Sequence, residues 1–244
     1  RADTVTVEAA NAVYRNAVEQ ARVGKTTGAL VTLRSLVGRF PERQDMLGDY
    51  VVVLGWAGDH AAALALLDRV NRASAPAYVI EGLAGSARAA QQFELAETLY
   101  REAIALFPER VEPQIGLART LADAGKLEDA AALIDNVRAR YPRRIDVLEA
   151  VADIATARRD YFGALAAYQA ILAQEPAHRG ALRGKIQTLV RLGTPQLAIE
   201  LADRNPGVLA PFERDAIAAD RTAHQIRWGA IAADTGRGPT RFAD

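Results

Sequence analysis

The stretch AETLYREAIALFPERVEPQIGLARTLADAGKLEDAAALIDNVRARYP, Ala96 to Pro142, holds one full period of this chain with its punctuation. An Ala stands at 96 and again at 130, a Pro follows each by twelve residues at 108 and 142, and Gly125 precedes the second Ala by five. Working outward, the same marks recur. Ala29, Ala63, Ala96, Ala130, Ala164 and Ala198 are separated by 34, 33, 34, 34 and 34 residues. Pro41, Pro176 and the dipeptides Ala75-Pro76 and Ala210-Pro211 continue the proline series. Between each Ala and its Pro, apolar or small residues fall at offsets of four and seven, as in Leu33/Leu36, Leu67/Val70, Tyr100/Ala103, Ile134/Val137 and Tyr168/Ile171. Such spacing is one face of a helix.

Gly24, Gly58, Gly125 and Gly193 sit five residues before their Ala, where a left-handed cap ends the preceding helix and turns the chain; Gln91 and Arg159 replace Gly in two periods. The proline stops the second helix, because it has no amide donor and restricts the residue before it. Each period therefore reads as helix, tight turn, helix, stop. Twelve residues before the Ala lie small Ala17, Ala84, Ala118 and Ala152, with larger Val51 and Ile186 predicting looser packing in the second and sixth hairpins.

This pattern resembles the tetratricopeptide repeat, which sets a small residue in its first helix, Ala in its second and Pro near its end, on a period of about 34 residues. The resemblance implies an all-α chain, a right-handed superhelical α-solenoid. It covers residues 1–212 as about six hairpins, approximately 10–43, 44–77, 78–110, 111–144, 145–178 and 179–212. A lone hairpin cannot bury its apolar face, whereas stacked neighbours share a continuous core. The β-branched run Tyr50 to Leu54 falls by register in a first helix, where burial overrides a slightly lower helix propensity.

Residues 213–244 depart from the period. Phe212, Ala216, Ala219, Ala223, Ile226, Ala230 and Ile231 predict one long helix over 211–234, begun by Pro211 and broken at Gly236-Arg237-Gly238-Pro239, with a further unit beginning near Thr240. The start at Arg1 without Met and the stop at Asp244 without a polar capping unit lead us to expect an excised piece of a longer protein.

Composition agrees with close-packed helices: hydrophobic residues make up 50% but aromatics only 6%. Thirty Lys and Arg balance thirty Asp and Glu, so no global field draws the chain to nucleic acid. The longest apolar stretches, such as Ala61 to Leu67, fall far short of the ~20 residues needed to span a bilayer. Zero cysteines exclude disulfides and thiol chemistry.

Catalytic and metal motifs are missing. Gly24-Lys25-Thr26-Thr27 looks like the end of a phosphate loop, but Glu19 stands where the motif needs its first glycine, which favours an ordinary repeat turn with a helix-capping Thr. His60, His178 and His224 lack neighbours at zinc-ligand spacing; the first two fall in turns and are expected to be solvated. We expect no catalytic residue, no metal and no cofactor.

The outward positions of the first helices carry the functional signal. Register gives Asp45 and Trp56, then Tyr78, Glu81 and Arg88, then Glu112, Arg119 and Asp123, then Asp146, Glu149 and Asp153, and last Arg183, Gln187 and Arg191. A ligand groove of Trp56, Tyr78, Glu81, Glu112, Asp123, Asp146, Glu149 and Asp153 suits a cationic or sugar-like polymer, since carboxylates pair with ammonium groups and rings offer flat faces. The alternative is a mixed-charge solvated groove. A clamp for a carboxylate tail needs groove lysines, and the chain has only Lys25, Lys126 and Lys185.

Two longer stretches, LGDYVVVLGWAGDH (Leu47 to His60) and RDAIAADRTAHQIRWGAIAADTGRGPTRFAD (Arg214 to Asp244), are similar to the periplasmic helical-repeat region of outer-membrane exporters of poly-β-1,6-N-acetyl-D-glucosamine. That resemblance implies a periplasmic domain of a bacterial outer-membrane protein. It would dock a periplasmic polysaccharide deacetylase and guide partly deacetylated poly-N-acetylglucosamine toward a C-terminal β-barrel in biofilm polysaccharide export. Without it, the repeats alone indicate a protein-protein interaction scaffold, or an assembly factor of another secretion or polysaccharide export system, holding a peptide or helix in the groove.

Overall fold

Six times along the chain a helix ends in the same way, and these six turns set the architecture. The amides of Lys25, Asp59, Gln92, Lys126, Asp160 and Thr194 each donate to the carbonyl five residues earlier, at 2.8 to 3.0 Å. This is the Schellman closure, which needs a left-handed residue just before the donor. Gly24, Gly58, Gly125 and Gly193 supply it with φ between 73° and 85°. Gln91 and Arg159 adopt it without being glycine, at φ 59° and 61°.

The computed structural model describes the backbone of residues 2–234 and the side chains of 7–222. The glycine-proline break and the unit after Thr240 lie outside the described residues, as does the side chain of His224. Two compact units, residues 1–137 and 138–244, divide the chain.

The first unit contains α1 (Ala2–Arg22), α2 (Thr26–Arg39), α3 (Gln44–Trp56), α4 (His60–Leu64), α5 (Ala77–Ala89), α6 (Phe93–Leu106) and α7 (Glu112–Asp123), and α8 (Leu127–Arg140) runs past its end. Odd-numbered helices are the first members of hairpins. Leu33, Met46, Leu47, Leu54, Ile80, Leu83 and Leu99 form fully buried layers, with Ala29, Ala63, Ala96 and Ala130 no more than 3% exposed among them. The run Tyr50 to Leu54 is helical and buried, as the register predicts. Val51 is 0% exposed, so its extra bulk does not loosen the second hairpin.

The second hairpin departs from the expected form elsewhere. α4 stops at Leu64 and a 3₁₀ turn follows over Leu67–Arg69, so Leu67 and Val70 do not share the face of one continuous α-helix. This repeat is the 33-residue one, and 3₁₀ geometry rises about 2.0 Å per residue against 1.5 Å in an α-helix, so fewer residues reach the next hairpin. Gln44 holds the irregular segment onto α3, accepting from the Asn71 amide at 2.8 Å and donating to the Arg69 carbonyl at 3.2 Å.

The second unit contains α9 (Ile145–Ala157), α10 (Tyr161–Gln174), α11 (Arg179–Arg191), α12 (Pro195–Arg204) and α13 (Pro211–Asp234). Leu148, Ile171 and Ala181 join α9, α10 and α11, and Leu182, Ile186, Leu189, Ala198, Ala202 and Val208 join α11 to α12 and the turn beyond. Ile186 is also 0% exposed. α12 ends at Arg204 and not near Ala210, because Pro206 follows and Asn205 leaves the helical region at ψ 70°, as Phe40, Phe107 and Glu175 do before their own prolines. Pro211 then starts α13.

Two glycines are required by close approach. A Cβ on Gly116 of α7 would meet Tyr100 Cε1 at 2.3 Å, and one on Gly184 of α11 would meet Tyr168 Cζ at 2.3 Å. In each case the tyrosine is four residues after the repeat Ala, and its ring occupies the space a side chain on the next first helix would need. No helix among the described residues is long and apolar enough to cross a membrane.

Candidate functional site

Hairpin stacking turns one face of every first helix away from the core, and the residues that register placed there do stand on these helices. In the first unit the face carries α1, α3, α5 and α7. Trp56, the last residue of α3, is 55% exposed, and Tyr78 on α5 is 44% exposed. Tyr78 is not a free ring: its hydroxyl donates to Asp49 Oδ1 at 2.7 Å. From the other side Tyr14 on α1 donates to Asp49 Oδ2 at 2.5 Å. One carboxylate on α3 thus receives phenols from the helices before and after it.

The carboxylates that register predicted are mostly matched by arginines. Arg110 donates through Nε to Glu81 Oε1 at 2.8 Å and through Nη2 to Glu81 Oε2 at 3.4 Å, while Nη2 also reaches Glu112 Oε2 at 3.3 Å. Arg88 donates to Asp123 at 3.1 Å. Arg43 grips Asp45 with two bonds of 2.8 and 2.6 Å and holds Asn11 of α1 with its remaining nitrogen at 3.0 Å. In the second unit Arg144 binds Asp146 through Nε at 2.8 Å and Nη2 at 2.9 Å. Glu149 faces His178 Nε2 at 3.5 Å. Asp153 lies one turn further along α9, and its field adds to burial in pushing the Tyr168 hydroxyl pKa up. Arg183 on α11 pairs with Glu213 of α13.

A few of these contacts shift the titration of the groups they join. Hydrogen bonds from Arg43 hold the Asp45 carboxyl below the usual carboxylate range against the opposing effect of burial. Partial burial, and then the hydrogen bond to Asp49, push the Tyr14 and Tyr78 hydroxyls far above the ordinary phenol value, so both remain donors at physiological pH. The Glu81 contact raises the Arg110 guanidinium further still.

His60 and His178 are half-buried rather than solvated. His178 caps α11, its Nδ1 accepting from the Ala181 amide at 3.1 Å, and His60 Nδ1 lies 3.5 Å from Ser86 Oγ. Lys25, not a threonine, caps α2, and no side-chain bond is made there. No group of three or more His, Asp or Glu is gathered for a metal among the described residues. Sequence reasoning missed Tyr14, Asp49, Arg110 and Arg144. A signal for the arginines exists: Arg43/Asp45, Arg110/Glu112 and Arg144/Asp146 repeat one Arg-x-acid pattern at the entrance to a first helix.

Residues 87–154 and 150–206 each match a tetratricopeptide-repeat family. The chain is 27% identical over 142 residues to the poly-β-1,6-N-acetyl-D-glucosamine export protein of Escherichia coli, a match covering 57% of this chain and 17% of that protein. It is 29% identical over 138 residues to cellulose synthase operon protein C of Pseudomonas fluorescens, covering 53% of this chain and 11% of that one. The chain therefore aligns with less than a fifth of the length of these relatives. A tetratricopeptide repeat protein from Parabacteroides merdae superimposes over 89% of this chain and 93% of its own with a TM-score of 0.66 at 14% identity, a likeness of fold alone.

Proposed function

Since the chain belongs to the tetratricopeptide-repeat scaffolds, we propose that it serves export of the biofilm polysaccharide poly-β-1,6-N-acetyl-D-glucosamine as a non-catalytic periplasmic domain of an outer-membrane protein. On this reading the first-helix faces bind partly deacetylated polymer, another surface docks a periplasmic deacetylase, and the polymer passes on to a β-barrel. The observation that carries the proposal is the 27% identity over 142 residues with the export protein of Escherichia coli.

The geometry supports a weak, sliding contact. Deacetylated units carry ammonium groups, and acidic residues recur along α3, α5, α7 and α9. Most are paired with half-buried arginines whose guanidinium groups still reach water, so an incoming ammonium competes for each carboxylate and gains only a weak contact. Several shallow contacts add up over a polymer while leaving it free to move. The exposed Trp56 offers an apolar plate for a sugar face.

Calorimetric titration with partly deacetylated and fully acetylated oligomers tests the polymer half. Preference for the deacetylated chain, weakening as salt rises, is expected. Equal binding of both oligomers, unchanged in an Asp146→Asn/Glu149→Gln variant, refutes it. A pull-down from periplasmic extract tests the other half by recovery of a polysaccharide deacetylase.

A second reading draws on the 29% identity to cellulose synthase operon protein C: the same scaffold serving export of a different polysaccharide, or holding a protein segment in its groove. Recovery of an unrelated protein, with no binding of either oligomer, favours that reading.

A further inference from the structure

Along α3, α5 and α7 of the first unit, five carboxylates can be compared directly. Asp45, Glu81, Glu112 and Asp123 each contact an arginine, at 2.6, 2.8, 3.3 and 3.1 Å. Asp49, among the described residues, forms no ion pair; its contacts are the two phenols, from Tyr14 and Tyr78. Arg22 is close enough for its field to reach Tyr78, yet makes no salt bridge to Asp49. Of these five, Asp49 is therefore the carboxylate held in place by neighbours yet left without a direct counter-charge.

The phenols define what else can bind. A carboxylate offers about four lone-pair sites, and one hydrogen bond to each oxygen leaves room for further donors. Tyr14 and Tyr78 fix the carboxylate plane from two sides, so an incoming group meets an acceptor that is already ordered and loses little on binding. Each phenol oxygen also keeps lone pairs that an ammonium beside the carboxylate can share. An anion is repelled there, and a neutral acetamide supplies a donor without the charge.

We propose that Asp49, clasped by Tyr14 and Tyr78, is a recognition site for a protonated primary amine, the ammonium group of a glucosamine unit, with Trp56 as the plate for an adjoining sugar. Trp56 is seven residues further along α3, two turns on the same side of the helix, which places it about 10.5 Å along the axis from Asp49. One occupant longer than a single sugar would touch both. The site rests on the polymer reading above and sharpens it, because it selects deacetylated units and not the polymer as a whole.

The test uses the full chain, a β-1,6-linked glucosamine oligomer, its fully N-acetylated counterpart and a lysine peptide of equal charge, with affinity read by calorimetry and folding by the thermal midpoint. In Asp49→Asn, which retains an acceptor for the phenols, we expect the glucosamine oligomer to bind about tenfold more weakly, the scale of one charge-assisted contact, with the N-acetylated oligomer unaffected. Tyr78→Phe should weaken glucosamine binding by a smaller factor, while Glu97→Gln, a charge change on α6 away from the site, should leave it unchanged. If the unaltered chain binds neither oligomer, the polymer reading falls and this site with it. If the chain prefers glucosamine but neither Asp49→Asn nor Tyr78→Phe alters that preference, the polymer reading stands and this site is refuted. A lower thermal midpoint with unchanged affinity would make the cluster a tie between hairpins and would overturn the proposal. Equal binding of the lysine peptide would overturn the assignment to a sugar amine.

Discussion

Replacing Gly116 by Ala adds one methyl group where the structure has no room for it. The new Cβ would lie 2.3 Å from Tyr100 Cε1, 2.4 Å from Cζ and 2.8 Å from the hydroxyl oxygen. Ordinary carbon contacts begin near 3.5 Å, so the ring must retreat by about 1 Å or α7 must shift. Tyr100 is only 7% exposed, so the side chains packed around it limit how far its ring can move aside. Overpacking of this kind costs about 1 to 3 kcal/mol, offset by about 1 kcal/mol for removing a glycine from a helix. The net is a loss of up to ~2 kcal/mol, or a thermal midpoint lower by up to roughly 4 to 8 °C for a chain of this size. Gly85 in α5 is the control, because a Cβ there meets only the Tyr100 hydroxyl, at an ordinary 3.7 Å. Gly85→Ala should therefore raise the midpoint while Gly116→Ala lowers it. Thermal melts followed by circular dichroism read both, and Tyr100→Leu should cost less in the Gly116→Ala background than alone. A Gly116→Ala chain as stable as Gly85→Ala would refute the reasoning.

Other outcomes follow from the same structure. Gln91→Gly and Arg159→Gly should each raise the melting temperature by about 2 °C, since a non-glycine in the left-handed region carries ~1 kcal/mol of strain; a fall would show that their side chains contribute more than the strain costs. Ala130→Leu, at a position 0% exposed, should overpack and destabilise by about 1 to 3 kcal/mol in urea titration. The Asp45 carboxyl titrates below its unfolded value because Arg43 binds it, so its contribution to stability is complete above about pH 5 and is lost as pH falls through the folded value. Arg43→Ala should return the Asp45 titration, followed by NMR, toward the ordinary carboxylate range of about 3.9, and should lower stability at neutral pH more than in acid.

How much was legible in the sequence depends on which interactions are periodic. The hairpins were readable because Ala29, Ala63, Ala96, Ala130, Ala164 and Ala198 answer to one repeated need, close approach of two helices, and the Schellman turns answer to another. Tyr50 to Leu54 would have been misread as a strand from composition alone; register placed it in α3. The end of α12 was misjudged because the 34-residue count favoured Pro211, while Pro206 acts locally and stops the helix first. The 3₁₀ turn at Leu67–Arg69 was hidden for the opposite reason: a one-residue deletion is visible, but how the backbone absorbs it is not.

The candidate face was legible as a set of outward positions and not as an electrostatic surface. Register placed Glu81, Glu112, Asp123 and Asp146 on first helices but could not assign them Arg110, Arg88 and Arg144, because those pairings depend on how far an arginine reaches from one repeat to the next or back along its own helix entrance. Asp49 was passed over for a related reason. It lies beside the buried run and becomes a surface feature only when Tyr14 and Tyr78, 35 residues before and 29 after, close around it.

The most direct test of the account is hydrogen exchange along the chain with and without a partly deacetylated β-1,6-linked oligomer. Binding at the first-helix face predicts added protection in α1, α3, α5 and α7, concentrated near Asp49, with α2 and α6 unchanged. Protection confined to the second helices, or none at oligomer concentrations that saturate calorimetry, would contradict it.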